Sequence, residues 1–132
     1  MLKGSLYKIV SLEQKDNAIK AVIEINKDSD IFSGHFPGQP VLPGACMLQM
    51  VKEILESTFD KTLRLKKADQ IKFLRVVDPV ADGTLKLELN YAVEGAEIKV
   101  TANMVSAESV CFKFKGDFCC PMKGKPIKII FI

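Results

Sequence analysis

The sequence predicts a single α+β domain in which an antiparallel sheet wraps around one central helix. Three observations support this prediction. Two short strand-like segments form a hairpin at the start, one strongly apolar stretch with helical periodicity follows, and four segments with period-two alternation come after it. With 132 residues, the chain has the length of one domain. A composition that is 48% hydrophobic and 27% charged is typical of a folded chain and argues against disorder.

Polar turns and one loop separate the predicted elements. Strands are expected at residues 5–12 and 18–25, joined by a polar turn at 13–17. Residues 28–44 form a loop rich in Gly and Pro. The central helix is expected at residues 45–58, because its polar side chains occupy one narrow arc of an otherwise apolar helix. Later strands, about four in number, are expected at residues 71–77, 84–93, 97–105 and 110–118.

The domain is assigned to residues 1–120, and residues 121–132 are assigned to a C-terminal tail. Residues 127–132 are almost entirely apolar, and an apolar strand without a partner promotes aggregation. The tail is therefore predicted either to add a strand to the sheet or to contact a partner. Both alternatives remain open on the sequence.

Charge, hydropathy and cysteine spacing exclude several classes of protein. The net charge of +3, with no Trp and two Tyr residues, is too small to predict nucleic-acid binding. Residues 31–51 carry no charge, but their prolines and glycines prevent a continuous membrane-spanning helix. Early lysines leave no secretory signal, and the four cysteines lack zinc-site spacing. We therefore expect a cytoplasmic protein with reduced thiols, no membrane span, no metal and no cofactor.

The histidine-containing loop carries the chemistry. His35 is the only histidine of the chain and lies in the segment GHFPGQPVLPG, residues 34–44. Three prolines and three glycines give this loop a fixed shape that can hold an imidazole in one orientation. The loop leads to a helix N-terminus, where backbone N–H groups favour negative charge. A base beside such a site suits proton removal next to a carbonyl, although a lone histidine in such a loop can also be structural.

Nine of the eleven positions of this segment match GHFPGxPVxPG, which resembles the signature of the (3R)-hydroxyacyl-acyl-carrier-protein dehydratases of fatty-acid synthesis. Weaker similarity at residues 71–79 and 113–116 extends the resemblance over most of residues 5–118. The resemblance implies the hotdog fold, with about five to six strands around one helix. It also implies a homodimer or higher oligomer with active sites at the subunit interface, and acyl carrier protein as the partner that delivers the substrate.

The same resemblance implies roles for individual residues of the loop and of the helix start. His35 corresponds to the catalytic histidine of the family. The backbone N–H of Gly44 corresponds to the donor to the thioester carbonyl. The neighbouring residues Phe36, Pro43 and Ala45 are expected to contact the substrate.

The main departure from the family lies on the helix. The acid of the family stands fourteen residues after the histidine and is contributed by the other subunit; here that position is Gln49. Glu53 stands one turn later, where the family often has Gln. A Gln amide can position a hydroxyl but has no proton to donate at neutral pH. Because residues i and i+4 stack on one helix face, Glu53 is expected to point back at Gln49, and either residue is a candidate to assist His35. A solvated or ion-paired surface position is the alternative for Glu53.

Three functions remain open on the sequence. The first is a dehydratase that converts 3-hydroxyacyl thioesters of acyl carrier protein to trans-2-enoyl thioesters, in fatty-acid or related polyene or polyketide synthesis. The second, favoured by Gln49 and the apolar tail, is a weak or inactive acyl-binding subunit that forms a heterodimer with a related dehydratase. The third is a hotdog thioesterase. Four basic residues are candidates for docking an acidic carrier: Lys66, Lys67, Lys72 and Arg75.

Overall fold

A computed structural model describes residues 1–34 and 40–120 of the chain. Within these residues, the fold comprises one six-stranded sheet and two helices. The strands are β1 (Tyr7–Lys15), β2 (Ala18–Ile25), β3 (Arg64–Phe73), β4 (Thr84–Glu94), β5 (Glu97–Ser106) and β6 (Ser109–Cys119). The helices are α1 (Asp30–Gly34) and α2 (Gly44–Phe59). The predicted α+β hotdog architecture is confirmed.

All neighbouring strands of the sheet are antiparallel, in the order β1-β2-β4-β5-β6-β3. The chain leaves the sheet after β2, forms both helices, and returns at the opposite edge as β3. Strand β4 then pairs with β2, so β1 and β3 are the two edge strands. The β1–β2 hairpin turns at Asp16 and Asn17, whose positive φ values of 51° and 61° are typical of a two-residue type I′ turn.

Alternation along the strands turns one face of the sheet toward α2. In β4, for example, Leu85 and Leu87 are buried, whereas Lys86 and Glu88 are exposed. This period-two pattern is the one that identified β2, β4, β5 and β6 in the sequence. Helix α2 contributes five apolar side chains to the same core: Met47, Met50, Val51, Ile54 and Leu55. The prediction of a largely buried central helix is therefore confirmed, with bounds one residue wider at each end.

The predicted position of the third strand is wrong. The strand was expected at residues 71–77, whereas β3 runs over Arg64–Phe73. Among the described residues, β3 is an edge strand with β6 as its one partner, and all ten residues of β3 are exposed. Without a buried face, no alternation marks it in the sequence.

Two shorter elements also differ from the sequence prediction. Strand β1 continues to Lys15, so the predicted five-residue turn is reduced to Asp16 and Asn17. The end of β1 is polar and was not recognised in the sequence, because among residues 1–34 and 40–120 this strand, like β3, has one edge without a partner strand. In addition, α1 occupies part of the segment that was expected to be loop.

Several predictions concern residues outside the described ranges. His35 and Phe36 lie there, as does the whole C-terminal tail at residues 121–132. The proposed strand or partner contact of the tail therefore stays a prediction. Among the helices of the described residues, none is long and apolar enough to span a lipid bilayer. All four cysteines are free thiols, and Cys111 and Cys119 are buried.

Candidate active site

The N-terminus of α2 lies beside the segment that follows β3. The N–H of Leu42 donates to the carbonyl oxygen of Val77 at 2.9 Å, which joins the two segments. Pro43 is the N-cap residue, with extended backbone (φ −62°, ψ 141°), and the helix begins at Gly44. No side chain of the described residues caps this end, and the first turn contains no acidic residue. The N–H of Cys46 donates to the carbonyl oxygen of Pro43 at 3.0 Å, whereas those of Gly44 and Ala45 are suited to a polarised or negatively charged oxygen.

An aromatic ring covers Gly44. Phe73, the last residue of β3, occupies the space that a side chain at this position would need: an added Cβ would lie 2.6 Å from its Cζ atom. The ring of Phe73 also stacks on Phe112, with centroids 5.5 Å apart, yet 57% of Phe73 is exposed. Close approach of the ring thus explains the glycine. Polar amides and an accessible aromatic surface meet at this end of the helix.

Gln49 and Glu53 contact each other along α2. The Nε2 atom of Gln49 donates to Oε2 of Glu53 at 2.9 Å, so the predicted i,i+4 contact is confirmed. Gln49 is half-buried. At a helical rise of 1.5 Å per residue, it lies about 7.5 Å along the axis from Gly44. Five residues also turn by about 140° around a helix of 3.6 residues per turn, so Gln49 and Gly44 lie on different faces of α2.

Glu53 is buried, with 1% of its surface exposed, and accepts hydrogen bonds from four donors. Besides Gln49, the donors are the backbone N–H groups of Leu2 (2.9 Å) and Lys3 (3.0 Å) and the hydroxyl of Tyr7 (3.0 Å). The N–H of Leu2 bonds to Oε2, and that of Lys3 bonds to Oε1. The carboxylate therefore ties residues 1–7 to the helix. Its position is neither solvated nor ion-paired with a side chain.

These contacts determine the protonation of the buried groups. Burial raises the pKa of the Glu53 carboxyl, but the four hydrogen bonds outweigh burial and lower that pKa below its ordinary value. Burial, reinforced by the charge of Glu53, raises the pKa of the Tyr7 hydroxyl and of the Cys46 thiol. Near neutral pH, Glu53 is ionised and has no proton to give. The role of Glu53 in assisting His35 stays a prediction, and its ionised carboxylate favours hydrogen bonding over proton donation.

The structure brings five of the seven predicted site residues together on α2 and its N-cap: Pro43, Gly44, Ala45, Gln49 and Glu53. The other two, His35 and Phe36, lie outside the described residues. Sequence reasoning missed Tyr7 and Phe73. The contact between Tyr7 and Glu53 joins residues 46 positions apart, and no local periodicity reports such a contact.

Charged side chains near β3 are largely paired within the chain. Arg75 donates to Asp82 at 3.1 Å, and Lys66 and Lys67 form ion pairs with nearby carboxylates. Of the four proposed docking residues, Lys72 is the one without such a pair in the described part of the chain. Within residues 1–34 and 40–120, no group of His, Cys, Asp and Glu side chains is arranged to hold a metal ion.

Comparison with protein families matches most of the chain to one family model. The model describes ApeI-like proteins, ApeI dehydratase, and it matches residues 11–114. Two curated relatives are the 3-hydroxyacyl-acyl-carrier-protein dehydratases FabZ from two strains of Haemophilus influenzae, which are 31% identical over 110 residues and 33% identical over 89 residues. The alignments cover 80% and 64% of this chain. The chain spans 70% and 60% of the length of these relatives.

Comparison with solved structures supports the same architecture. A chain of the dehydratase heterocomplex ApeI:P from Xenorhabdus doucetiae matches with a TM-score of 0.68. The match covers 84% of this chain and 96% of that chain, at 21% sequence identity. At this identity the likeness concerns the fold alone.

Proposed function

Since this chain belongs to the ApeI-like dehydratase family, we propose that it is a hydro-lyase acting on 3-hydroxyacyl thioesters of acyl carrier protein. The reaction removes the C2 proton and the C3 hydroxyl as water and leaves the trans-2-enoyl thioester. The observation that carries the proposal is the uncapped N-terminus of α2, which begins at Gly44 directly after the histidine-containing loop. Its N–H groups are suited to polarise the thioester carbonyl and so acidify the C2 proton.

In the proposed mechanism, His35 is the base. It accepts the C2 proton while the N–H of Gly44 holds the carbonyl oxygen. The imidazolium of His35 then returns this proton to the C3 hydroxyl, which leaves as water as the C2–C3 double bond forms. Because His35 both removes and returns the proton, the reaction requires no second acid.

Gln49 is proposed to position the C3 hydroxyl through its amide, in the site that contains His35 and Gly44 of the other subunit. Its half-buried side chain, held by the 2.9 Å contact to Glu53, supports this role. Absence of a positioned general acid typically costs about 10² to 10⁴ in rate. Turnover is therefore expected to be slow for a dehydratase. Pro43 and Ala45 flank Gly44 and, with Phe36 of the loop, are proposed to contact the acyl thioester.

We also propose that subunits associate along β3. All ten residues of this edge strand are exposed, including the apolar side chains of Leu65, Ile71 and Phe73. The apolar surface continues beyond the strand through Leu74 and Val76, which are 51% and 65% exposed. Protein chains normally cover such an edge. A homodimer along β3 would also bring its partner close to the N-terminus of α2, because Phe73 contacts Gly44.

The amide at position 49 favours a second candidate function. A subunit with an amide in place of the acid is suited to an acyl-binding role beside a related dehydratase that carries the activity. In such a heterodimer, this chain would bind acyl groups and contribute little to turnover. The exposed edge of β3 would accommodate a related chain as well as a second copy.

The test is an assay of the purified protein with 3-hydroxyacyl carrier thioesters of several chain lengths. Mass spectrometry distinguishes the enoyl thioester from the free acid that a thioesterase would release. Wild type should form enoyl product, and so should Glu56→Gln, a matched change at a carboxylate that accepts the N–H of Leu63 at 2.9 Å. His35→Ala should form none.

If the protein forms no enoyl product from substrates of every chain length tested, the proposed dehydratase activity is contradicted. The heterodimer is supported instead when activity appears only with a related subunit and survives His35→Ala. Release of free acid would favour the thioesterase.

A further inference from the structure

The contact with Glu53 determines which end of the Gln49 amide is free. An ionised carboxylate only accepts hydrogen bonds. The NH₂ group of Gln49 therefore faces Glu53, in agreement with the 2.9 Å distance from Nε2 to Oε2. The carbonyl oxygen of the same planar amide points away from Glu53. A glutamine without such a partner can present either end to a ligand, whereas this one presents an acceptor.

Glu53 has little freedom to release this amide. Two of its other donors, the N–H groups of Leu2 and Lys3, belong to the backbone and cannot rotate away. The third is the hydroxyl of Tyr7, which is itself only 2% exposed. Movement of the carboxylate would leave the buried Tyr7 hydroxyl and the two part-buried N–H groups without this acceptor, which is costly. The orientation of the Gln49 amide is therefore coupled to the fold of residues 1–7.

We propose that Glu53 is a positioning residue that holds the Gln49 amide with its oxygen toward the substrate, so that the site selects 3-hydroxyacyl over 3-oxoacyl thioesters. The proposal rests on the proposed function and assigns to Glu53 the selectivity of the same site. A C3 hydroxyl donates its hydrogen to the Gln49 oxygen, and its own lone pairs remain free for the proton that His35 returns. A C3 carbonyl has no hydrogen to donate, so two acceptor oxygens would face each other.

The selectivity follows from the charge of Glu53. With a neutral amide at position 53, Gln49 can turn its NH₂ group toward the ligand and donate to a C3 carbonyl. A site that hydrogen-bonds a substrate hydroxyl rejects the analogue that lacks it. One unsatisfied polar contact raises the dissociation constant of a ligand about 10- to 100-fold. The ratio of the two dissociation constants is therefore the quantity to measure.

The experiment uses two non-reactive pantetheine thioether analogues that differ only at C3, one with a hydroxyl and one with a carbonyl. Calorimetry with the full chain gives both dissociation constants for wild type, Glu53→Gln and Glu56→Gln. Wild type and Glu56→Gln should each bind the hydroxyl analogue about 10- to 100-fold more tightly than the carbonyl analogue. In Glu53→Gln the ratio should fall toward one. A ratio that Glu53→Gln leaves unchanged overturns the proposal, because a purely structural carboxylate would weaken both ligands alike.

A second measurement needs no change at Glu53. In the NMR spectrum of wild type, the Gln49 side-chain amide, assigned through its loss in Gln49→Leu, should exchange slowly with solvent. The exposed Gln14 side chain, which donates to Tyr91 at 2.7 Å, provides the internal control. Equal exchange at Gln49 and Gln14 overturns the proposal even where Glu53→Gln fails to fold.

Turnover and selectivity can fail separately. If wild type forms no enoyl product but still prefers the hydroxyl analogue, the proposed dehydratase activity is overturned. The inference about Glu53 then holds for an acyl-binding subunit. An active enzyme whose ratio is insensitive to Glu53→Gln overturns this inference alone.

Discussion

Replacing Gln49 by glutamate places two carboxyl groups where an amide now donates to a carboxylate. The Nε2–Oε2 distance is 2.9 Å in the wild-type chain, so an oxygen would take the place of the donating nitrogen. Two unit charges about 4 Å apart repel by about 4 kcal/mol at an effective dielectric constant of about 20. Glu53 keeps its three other donors, and the proton therefore resides mainly on the new carboxyl. The upper pKa of the pair should rise from about 4.3 to about 7.

Two consequences of Gln49→Glu follow from this raised pKa. The folded variant retains a proton that the unfolded chain releases, so its stability falls as pH rises between about 4.3 and about 7. From about pH 5 to about pH 8, the variant should lose about 3 kcal/mol of unfolding free energy relative to wild type. Below about pH 7 the new carboxyl is protonated and can act as a general acid. Enoyl formation should then exceed wild type by about 10² or more, and the gain should fade at higher pH.

Urea titrations at about pH 5 and about pH 8, with initial rates over the same range, measure both effects. Gln14→Glu makes the same chemical change at an exposed site whose partner is the hydroxyl of Tyr91. That hydroxyl can donate to a carboxylate, so this control should show little pH dependence. Equal stability of Gln49→Glu at both pH values would contradict the carboxyl pair. A rate that never exceeds wild type would contradict the placement of residue 49 beside the reacting hydroxyl.

Three further predictions concern the same region. Tyr7→Phe removes a buried donor to Glu53 and should lower the unfolding free energy in urea by about 1.5–3 kcal/mol; Tyr91→Phe, with its exposed hydrogen bond, should lower it less. Gly44→Ala places a methyl group against the Phe73 ring and should lower the unfolding free energy by about 1–3 kcal/mol. The double variant Gly44→Ala/Phe73→Ala should regain this loss, and absence of that rescue would refute the clash. Because the folded-state pKa of Glu53 is lowered, its stabilisation is present above the unfolded pKa of about 4.3 and is lost as pH falls through the folded value. Acid titration by circular dichroism should show this loss in wild type and not in Glu53→Gln.

The sequence predicts elements that have a buried and an exposed face. Strand β4 and helix α2 were located to within one residue at their ends, because their periodicity directly reflects burial. Strand β3 was misplaced because an edge strand with ten exposed residues has no such signal. Its position depends on pairing with β6, which is a long-range property. Local patterns cannot report that pairing.

The candidate site was predictable in part for a similar reason. The spacing of Gln49 and Glu53 on one helix predicted their contact, and the contact is present. The burial of Glu53 was not predictable, because Leu2, Lys3 and Tyr7 cover it from 46 to 51 positions away. A polar arc on a helix is ordinarily solvated. Here the arc is partly covered by the N-terminal segment, which changes the protonation and hence the chemistry assigned to its residues.

The cover of α2 by residues 1–7 accounts for a glutamate at position 53 beside an amide at position 49. Residues 1–7 direct two backbone N–H groups and one hydroxyl at position 53, and one amide oxygen cannot accept from all three as two carboxylate oxygens do. A charge at position 53 then disfavours a second charge at position 49 by about 4 kcal/mol. The two positions are therefore coupled, and anchoring the N-terminal segment through Glu53 favours an amide at 49. An acid can stand at position 49 at little cost only when it is protonated, or when the segment is anchored elsewhere.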